Sequence, residues 1–254
     1  MSSSWASGRK LPGFRFPVLT SAADVEALPY LTDAEKQRAI AKIEELHADK
    51  DPYHRLWVDP DADSPGTGAP EQEALKRREP NVCMLHDPEL FYLTYEGYET
   101  SLELLIGLTY DQLVTMISHG EEAVTDDPEI IRKHHLAIWA VAKVAFERKD
   151  EWWTRLIATR IDMRANPENY EKLAMLGFPE SGVWDDEERT LLKLTKGLID
   201  NDLSDATFDE AVALWGPNGV LRYWNWIYRY VGMCMLATLQ YSDAMKRGEA
   251  GARW

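Results

Sequence analysis

Apolar residues recur at a helical spacing along most of this chain. From residue 88 to residue 246 they return every three or four positions, and no segment alternates apolar and polar residues as a half-buried strand would. Helix start signals agree, because Thr32 and Glu35 form a capping box and Asp87 precedes Pro88. The pattern predicts an all-α protein. Its helices are expected at residues 31–48, 88–105, 111–123, 129–146, 151–164, 167–176, 185–201, 205–214 and 220–246.

Composition divides the chain into three parts. Residues 1–30 carry turn formers and scattered aromatic residues, and residues 58–72 are rich in Asp, Pro and Gly, which predicts a loop. We therefore expect an N-terminal extension over residues 1–80 that contains an arm, one helix and this acidic loop. A helical domain follows over residues 81–246, with a polar tail over residues 247–254.

The charge and the cysteines limit the partners and the cellular setting. The 254 residues carry a formal net charge of −15, which disfavours nucleic acids and anionic membrane surfaces as partners. No apolar stretch is long enough to span a bilayer, and the N-terminus lacks an apolar signal core. Cys83 and Cys234 have no close pair, so we expect a cytoplasmic protein without a disulfide scaffold.

Two adjacent histidines stand in an otherwise apolar helix. His134 and His135 lie in the segment 129–146, and Trp139 shares a face with His135 because the two are four residues apart. Histidine titrates near neutrality, which makes His135 a candidate general acid or base. The alternative interpretation is one solvated histidine and one in the core. The spacing leaves open which of the two would face a pocket.

A second polar group follows in the segment Glu151-Trp152-Trp153-Thr154-Arg155. Glu151 falls in the first turn of the expected helix 151–164, where the helix dipole favours a carboxylate. Arg155 lies four residues later, a spacing that also suits an exposed salt bridge. Trp152 and Trp153 favour burial of at least one partner of this pair, and so a candidate site.

The last expected helix carries two aromatic faces. One comprises Trp224, Tyr228, Met235 and Leu239, and the adjacent one comprises Trp226, Tyr230, Met233 and Ala237. Such stripes are typical of a core or a subunit interface, and they also suit an aromatic ligand pocket. Arg222 and Arg229 are candidate anchors for a carboxylate or phenolate.

Known cofactor and metal motifs are absent. The chain has no G-x-G-x-x-G, P-loop, G-x-S-x-G, H-E-x-x-H or C-x-x-C segment. The six histidines show no metal-ligand grouping with neighbouring carboxylates. We therefore expect no cofactor and no bound metal.

Several segments between residues 81 and 241 follow a known pattern. His86-Asp87-Pro88-Glu89-Leu90 is similar to an opening motif, Glu151-Trp152-Trp153-Thr154-Arg155 to a Glu-Trp-x-x-His element, and Tyr228-Arg229-Tyr230-Val231-Gly232 to a closing Gly-x-Tyr. On these segments the chain resembles the carboxymuconolactone decarboxylase and AhpD-like superfamily. The resemblance implies an AhpD-like helical bundle that assembles as a dimer, trimer or hexamer, with a pocket lined by its central helices.

Departures from the pattern change the implied chemistry. Peroxidase members of the superfamily use a C-x-x-C and a nearby histidine, whereas this chain has Arg148 and Glu151 at the cysteine positions and Arg155 at the histidine. The resemblance therefore implies no dithiol peroxidase activity. It also implies an exchanged acid–base set, with His135 on one side of the pocket and Arg155 in the place of the family histidine.

From this resemblance we expect a cofactor-independent carbon–carbon lyase. It would act on an aromatic molecule, such as a lignin-derived phenol, or on a lactone-type molecule, and release CO2 or formaldehyde. His135 would transfer the proton, Arg155 would hold a carboxylate or phenolate, and Glu151 would orient Arg155 or act as the partner acid. The residues expected to complete the pocket are Trp139, Trp152, Trp153, Trp226, Tyr228, Arg229 and, among the catalytic set, Tyr230. The alternatives are a non-catalytic oligomeric protein that binds aromatic ligands and an enzyme with oxygen- or peroxide-dependent chemistry through Cys83 or Cys234.

Overall fold

The computed structural model describes residue 8 and residues 15–48, 85–149 and 168–240. These residues form eight α-helices and one short 3-10 helix, with no β-strand among them, which confirms the all-α prediction. The helices are α1 (Ala22–Glu26), α2 (Asp33–Ala48), α3 (Pro88–Leu105), α4 (Tyr110–His119), α5 (Pro128–Glu147), α6 (Glu168–Ala174), α7 (Asp186–Asp200) and α8 (Asp205–Gln240). The 3-10 helix is Glu121–Ala123. Among them, none combines the length and the apolar character that crossing a membrane requires.

Capping side chains explain where the helices begin. The Thr32 hydroxyl accepts from the Glu35 amide at 3.3 Å and the Glu35 carboxylate accepts from the Thr32 amide at 2.7 Å, so the expected capping box of α2 is present. Asp87 accepts from the Leu90 amide at 3.0 Å at the start of α3. Each cap satisfies a backbone donor that the first helical turn leaves without a partner.

Glycines mark two breaks in the helices. The segment 111–123 is interrupted at Gly120, whose φ of 94° lies in the left-handed region and ends α4 before the 3-10 helix. Within α8 the backbone is non-helical at Gly216, whose φ is 67°, and this kink lies between the two expected helices 205–214 and 220–246. Pro217 directly follows Gly216, and its fixed φ suits the first residue of the resumed helix. The expected helix 151–164 and the boundaries at 80/81 and 246/247 lie outside the described residues.

The described residues belong to two compact units. The first contains those up to Gly97 together with the end of α8 from Met235. Its core is built from α1, α2 and the start of α3, and the buried members are Leu19, Val25, Leu28, Ala39, Ile43, Leu85 and Phe91. The buried His86 ring meets the Pro17 carbonyl oxygen through Nε2 at 2.8 Å and the Tyr30 hydroxyl through Nδ1 at 2.5 Å. These two contacts occupy both nitrogens, so His86 has a structural role.

The second unit spans Tyr98–Cys234 and is centred on α5. This helix packs along α7, and most of its residues from Leu136 to Ala145 are buried. The Trp139 ring meets the Trp184 ring edge to face at 5.2 Å, and the buried Lys143 ammonium donates to the Leu176 carbonyl oxygen at 2.8 Å. These contacts fix the part of α5 that follows the two histidines against Trp184 and Leu176.

Candidate functional site

One carboxylate joins the two histidines in the second unit. The Glu121 Oε1 atom lies 3.1 Å from Nδ1 of His134 and 2.7 Å from Nε2 of His135. The side chain of His134 is 7% exposed, that of Glu121 30% and that of His135 45%. The cluster of Glu121, His134 and His135, called the Glu121 cluster below, therefore runs from the protein interior to the surface.

The turn before α5 carries Glu121 to the histidines. The backbone reverses at Gly120, and the Val124 and Thr125 amides both donate to the Glu121 carbonyl oxygen at 3.0 Å. Asp127 then caps α5 by accepting from the Glu129 amide at 2.8 Å. Since α5 begins at Pro128, the histidines occupy its second turn, close in sequence to this folded connection.

A charged network fixes the first turns of α5 against α7. The Arg132 guanidinium donates to both oxygens of Asp185 at 2.8 Å and to Glu187 at 2.9 Å. The nearly fully buried Glu188 also accepts from Lys172 at 2.7 Å. Paired arginine and carboxylate groups of this geometry restrict orientation more strongly than a single hydrogen bond. The network therefore sets the direction in which the neighbouring His134 and His135 project.

The histidines stabilise the charged form of Glu121. Burial alone would raise the pKa of Glu121, but hydrogen bonds from His134 and His135, with their positive charge when protonated, outweigh it and lower the pKa to about 2. Glu121 is therefore an anion across the physiological range. An anionic oxygen only accepts hydrogen bonds, so the two ring nitrogens that face it carry hydrogens in this arrangement.

This arrangement prepares His135 for proton transfer. When Glu121 holds the hydrogen on Nε2, the Nδ1 atom of a neutral His135 carries the lone pair and can accept a proton. The carboxylate also stabilises the imidazolium that forms, as in catalytic groups where an acid orients a histidine. The exposure of the His135 side chain leaves this ring accessible to a small molecule.

Four aromatic rings pack together in the same unit. The Tyr98 ring lies 5.4 Å from that of Trp226, 6.4 Å from that of Tyr230 and 5.9 Å from that of Tyr110. The Tyr98 and Tyr230 hydroxyl oxygens are 3.2 Å apart. The Trp226 indole donates to the Ala137 carbonyl oxygen at 3.1 Å, one helical turn after His134. These contacts hold the aromatic cluster against α5.

The other residues expected in a pocket have different environments. Trp139 is buried against Trp184, while Tyr228 is 64% exposed and stacks on Trp224 at 5.9 Å. The Arg229 Nε atom is buried without a hydrogen-bond partner among the described residues, and burial lowers the pKa of this guanidinium. Cys234 is buried. The remaining candidates, Glu151, Trp152, Trp153, Arg155 and Cys83, lie outside the described residues.

Glu121 is a site residue that the sequence did not reveal. The prediction that the histidines form no metal-ligand grouping with neighbouring carboxylates is wrong, because one Glu121 oxygen contacts the rings of both His134 and His135. A signal was available: Gly120 predicts a chain reversal, and Asp127-Pro128 predicts a helix start within eight residues of it. Together they indicate that Glu121 folds back toward the first turns of α5.

Comparison of the chain with protein-family models, curated proteins and solved structures finds no match.

Proposed function

We propose that this protein is an acid–base enzyme whose proton-transfer group is the Glu121–His135 pair. The observation that carries the proposal is a half-exposed imidazole, that of His135, held at 2.7 Å by the half-buried carboxylate of Glu121. Without a neighbouring carboxylate, a histidine that is exposed to this extent would form hydrogen bonds with water alone. A carboxylate that fixes its tautomer and supports its charge gives it the properties of a general base.

The reaction we propose is cleavage of a carbon–carbon bond without a cofactor. In a deformylation, Nδ1 of His135 accepts the proton of a substrate hydroxymethyl group. The O–H electron pair becomes the C=O bond of formaldehyde, and the carbon–carbon bond electrons pass to an electron-accepting aromatic or lactone system. The protonated His135 then returns the proton to the carbon that formaldehyde has left. In a decarboxylation, CO2 leaves first, and the protonated His135 delivers its proton to the carbanion. Both sequences balance with no oxidant or reductant.

We also propose roles for Arg155 and Glu151 in substrate binding. The guanidinium of Arg155 would hold the carboxylate or phenolate of the substrate, and Glu151 would orient Arg155. Trp139, Trp152, Trp153 and the rings of Trp226 and Tyr230 would exclude water, which strengthens electrostatic interactions around the developing charge. Tyr228 and Arg229 would contribute to substrate binding.

We further propose that the protein is an AhpD-like helical bundle that forms homo-oligomers through the exposed face of α8. On this face Leu221 is 61% exposed, Trp224 48% and Tyr228 64%, and they follow one another at spacings of three and four residues. Large apolar side chains that form a continuous stripe are typical of a protein interface.

A non-catalytic protein that binds aromatic ligands is the second candidate. It is motivated by Arg155, which stands in the place of the histidine of the superfamily that the chain resembles, so that the acid–base set of that superfamily is not retained. Saturable binding of phenols with no product would favour this candidate.

The test compares turnover in metal-stripped wild type and three variants. The substrates are aromatic compounds with a hydroxymethyl side chain and lactone acids, with formaldehyde and CO2 measured directly. We expect His135→Ala to lose at least about 100-fold in kcat, as removal of a general base does. Glu121→Gln should lose about 10- to 100-fold and alter the pH dependence of kcat/KM. Arg155→Ala should act mainly on KM.

Glu122→Gln is the matched control for Glu121→Gln. It removes the same charge from the adjacent exposed position, where the carboxylate is not part of the cluster. Its turnover should equal that of wild type. Wild-type rates in both His135→Ala and Glu121→Gln would refute the proposed proton-transfer group.

A further inference from the structure

We infer that the Glu121 cluster is also a binding site for a divalent first-row transition metal ion, with Zn²⁺ as the reference case. One donor atom each from Glu121, His134 and His135 lies within 4.8 Å of the other two. Nothing in the sequence motifs assigns such a site. Binding of an ion here goes beyond the proposed function, and only the expected effect of the ion on turnover rests on that function.

The separations between the donor atoms suit a metal ion. With bonds of about 2.1 Å at a tetrahedral angle, two ligand atoms lie about 3.4 Å apart. The observed separations from Glu121 Oε1 are 3.1 Å to His134 and 2.7 Å to His135. Both separations are shorter than 3.4 Å because a hydrogen atom, which is smaller than a metal ion, lies between the nitrogen and the oxygen. Small rotations of the exposed His135 ring would therefore admit the ion.

The types of donor select the class of ion. Two imidazole nitrogens and one carboxylate oxygen form the protein ligand set of many catalytic zinc sites and of non-haem iron sites. Calcium and magnesium prefer sites made of oxygen atoms alone. Three ligands leave at least one coordination position open, and the 45% exposure of the His135 side chain puts this opening on the solvent side.

The surroundings favour a cation. Asp126 and Asp127 are exposed carboxylates of the connection that leads into α5, and Glu129 is an exposed carboxylate in the first turn of α5. Arg132 and Lys133 in the first turns of α5 are already paired, Arg132 with Asp185 and Glu187 and Lys133 with Glu129. The net charge of the chain is −15. An anionic surface raises the local concentration of cations and accelerates their binding.

Binding of the ion would oppose the proposed acid–base chemistry. The ion would replace the hydrogens on Nδ1 of His134 and Nε2 of His135 and would occupy the Glu121 oxygen. His135 would then no longer be held in the tautomer that accepts a proton at Nδ1. We therefore expect Zn²⁺ to inhibit the metal-free lyase reaction at the stoichiometry of binding.

The experiment titrates untagged, chelator-treated protein with Zn²⁺ by calorimetry and with Co²⁺ by visible absorption. We expect one ion per chain and cobalt bands of a four- or five-coordinate site. His135→Ala and Glu121→Gln should each weaken binding at least about 100-fold, since loss of a ligand costs more than the 10- to 100-fold loss of an outer partner. X-ray absorption of the zinc form should count two imidazole ligands.

Two further variants keep the result interpretable. Glu122→Gln should bind like wild type. Because His134 is buried, His134→Gln is tested for folding by circular dichroism, and the exposed His135→Ala decides the matter if His134→Gln does not fold. Absence of stoichiometric binding, or binding unchanged in His135→Ala and Glu121→Gln, would overturn the inference. Turnover without ion binding would refute the metal site alone, whereas ion binding without turnover would refute only the lyase.

Discussion

At the scale of single residues, the properties of His135 depend on an anion from another element. Glu121 accepts from both histidines through one oxygen, and this contact lowers the pKa of Glu121 to about 2. A carboxylate whose pKa is lower in the folded protein than in the unfolded chain stabilises the fold whenever it is charged. The same contact that prepares His135 for chemistry therefore also contributes to stability.

This contribution should depend on pH in one direction. Near pH 6 we expect Glu121→Gln to reduce the free energy of unfolding by about 1–2 kcal/mol, because the amide still accepts hydrogen bonds but has lost its charge. The difference from wild type should be complete above the ordinary pKa of 4.5 and should shrink as the pH falls toward 2. Urea unfolding of both proteins at several pH values measures it. A difference that grows on acidification would contradict the assigned contact.

The sequence predicted His135 as a site residue but not its partner. His134 and His135 are conspicuous because they are adjacent polar residues in an apolar helix. Glu121 is one of many acidic residues, and its contact with His135 joins residues 14 positions apart across the chain reversal at Gly120. Helical periodicity describes faces within one element and carries no information on contacts of this kind.

At the scale of elements, local signals predicted the helices well. The start of α3 at Pro88 and the span of α7 follow from capping residues that act within one turn. The expected helices 205–214 and 220–246 are separated in the structure by the kink at Gly216 within α8. Pro217 follows this residue directly, and because proline suits the first position of a helix, the second helical part resumes there.

The network around Arg132 should hold the first turns of α5 in place. Arg132→Ala removes the partner of Asp185, Glu187 and Glu188, and we expect it to reduce the free energy of unfolding by about 1–3 kcal/mol. Lys133→Ala is the matched control, since its exposed pair with Glu129 contributes only a few tenths of a kcal/mol. Equal stabilities of the two variants in urea unfolding would refute this role of the network.

At the scale of the whole molecule, the sequence predicted two aromatic faces of α8 but did not predict which of them is buried. Trp226, Tyr230 and Ala237 are buried, whereas Trp224, Tyr228, Met235 and Leu239 are exposed. Periodicity reveals that two faces exist, but only the surrounding elements decide which one is covered. We propose that the exposed face binds a second copy of the chain.

The oligomeric state tests this proposal. We expect wild type to elute as a dimer or larger assembly in size-exclusion chromatography with light scattering, and Trp224→Glu to shift to the monomer. Tyr170→Glu places the same charge on an equally exposed aromatic position of α6 and should leave the assembly intact. A monomeric wild type, or a Trp224→Glu variant that assembles like wild type, would contradict the proposed interface.

The central claim is that one carboxylate, Glu121, binds both imidazoles, and ¹⁵N NMR of the histidine rings tests it most directly. Ring signals of His134 and His135 are assigned from His134→Gln and His135→Gln and then followed with pH in wild type, Glu121→Gln and Glu122→Gln. We expect Glu121→Gln to shift the ring nitrogens of both histidines and Glu122→Gln to shift neither. Ring signals of both histidines that remain unchanged in Glu121→Gln would contradict the account.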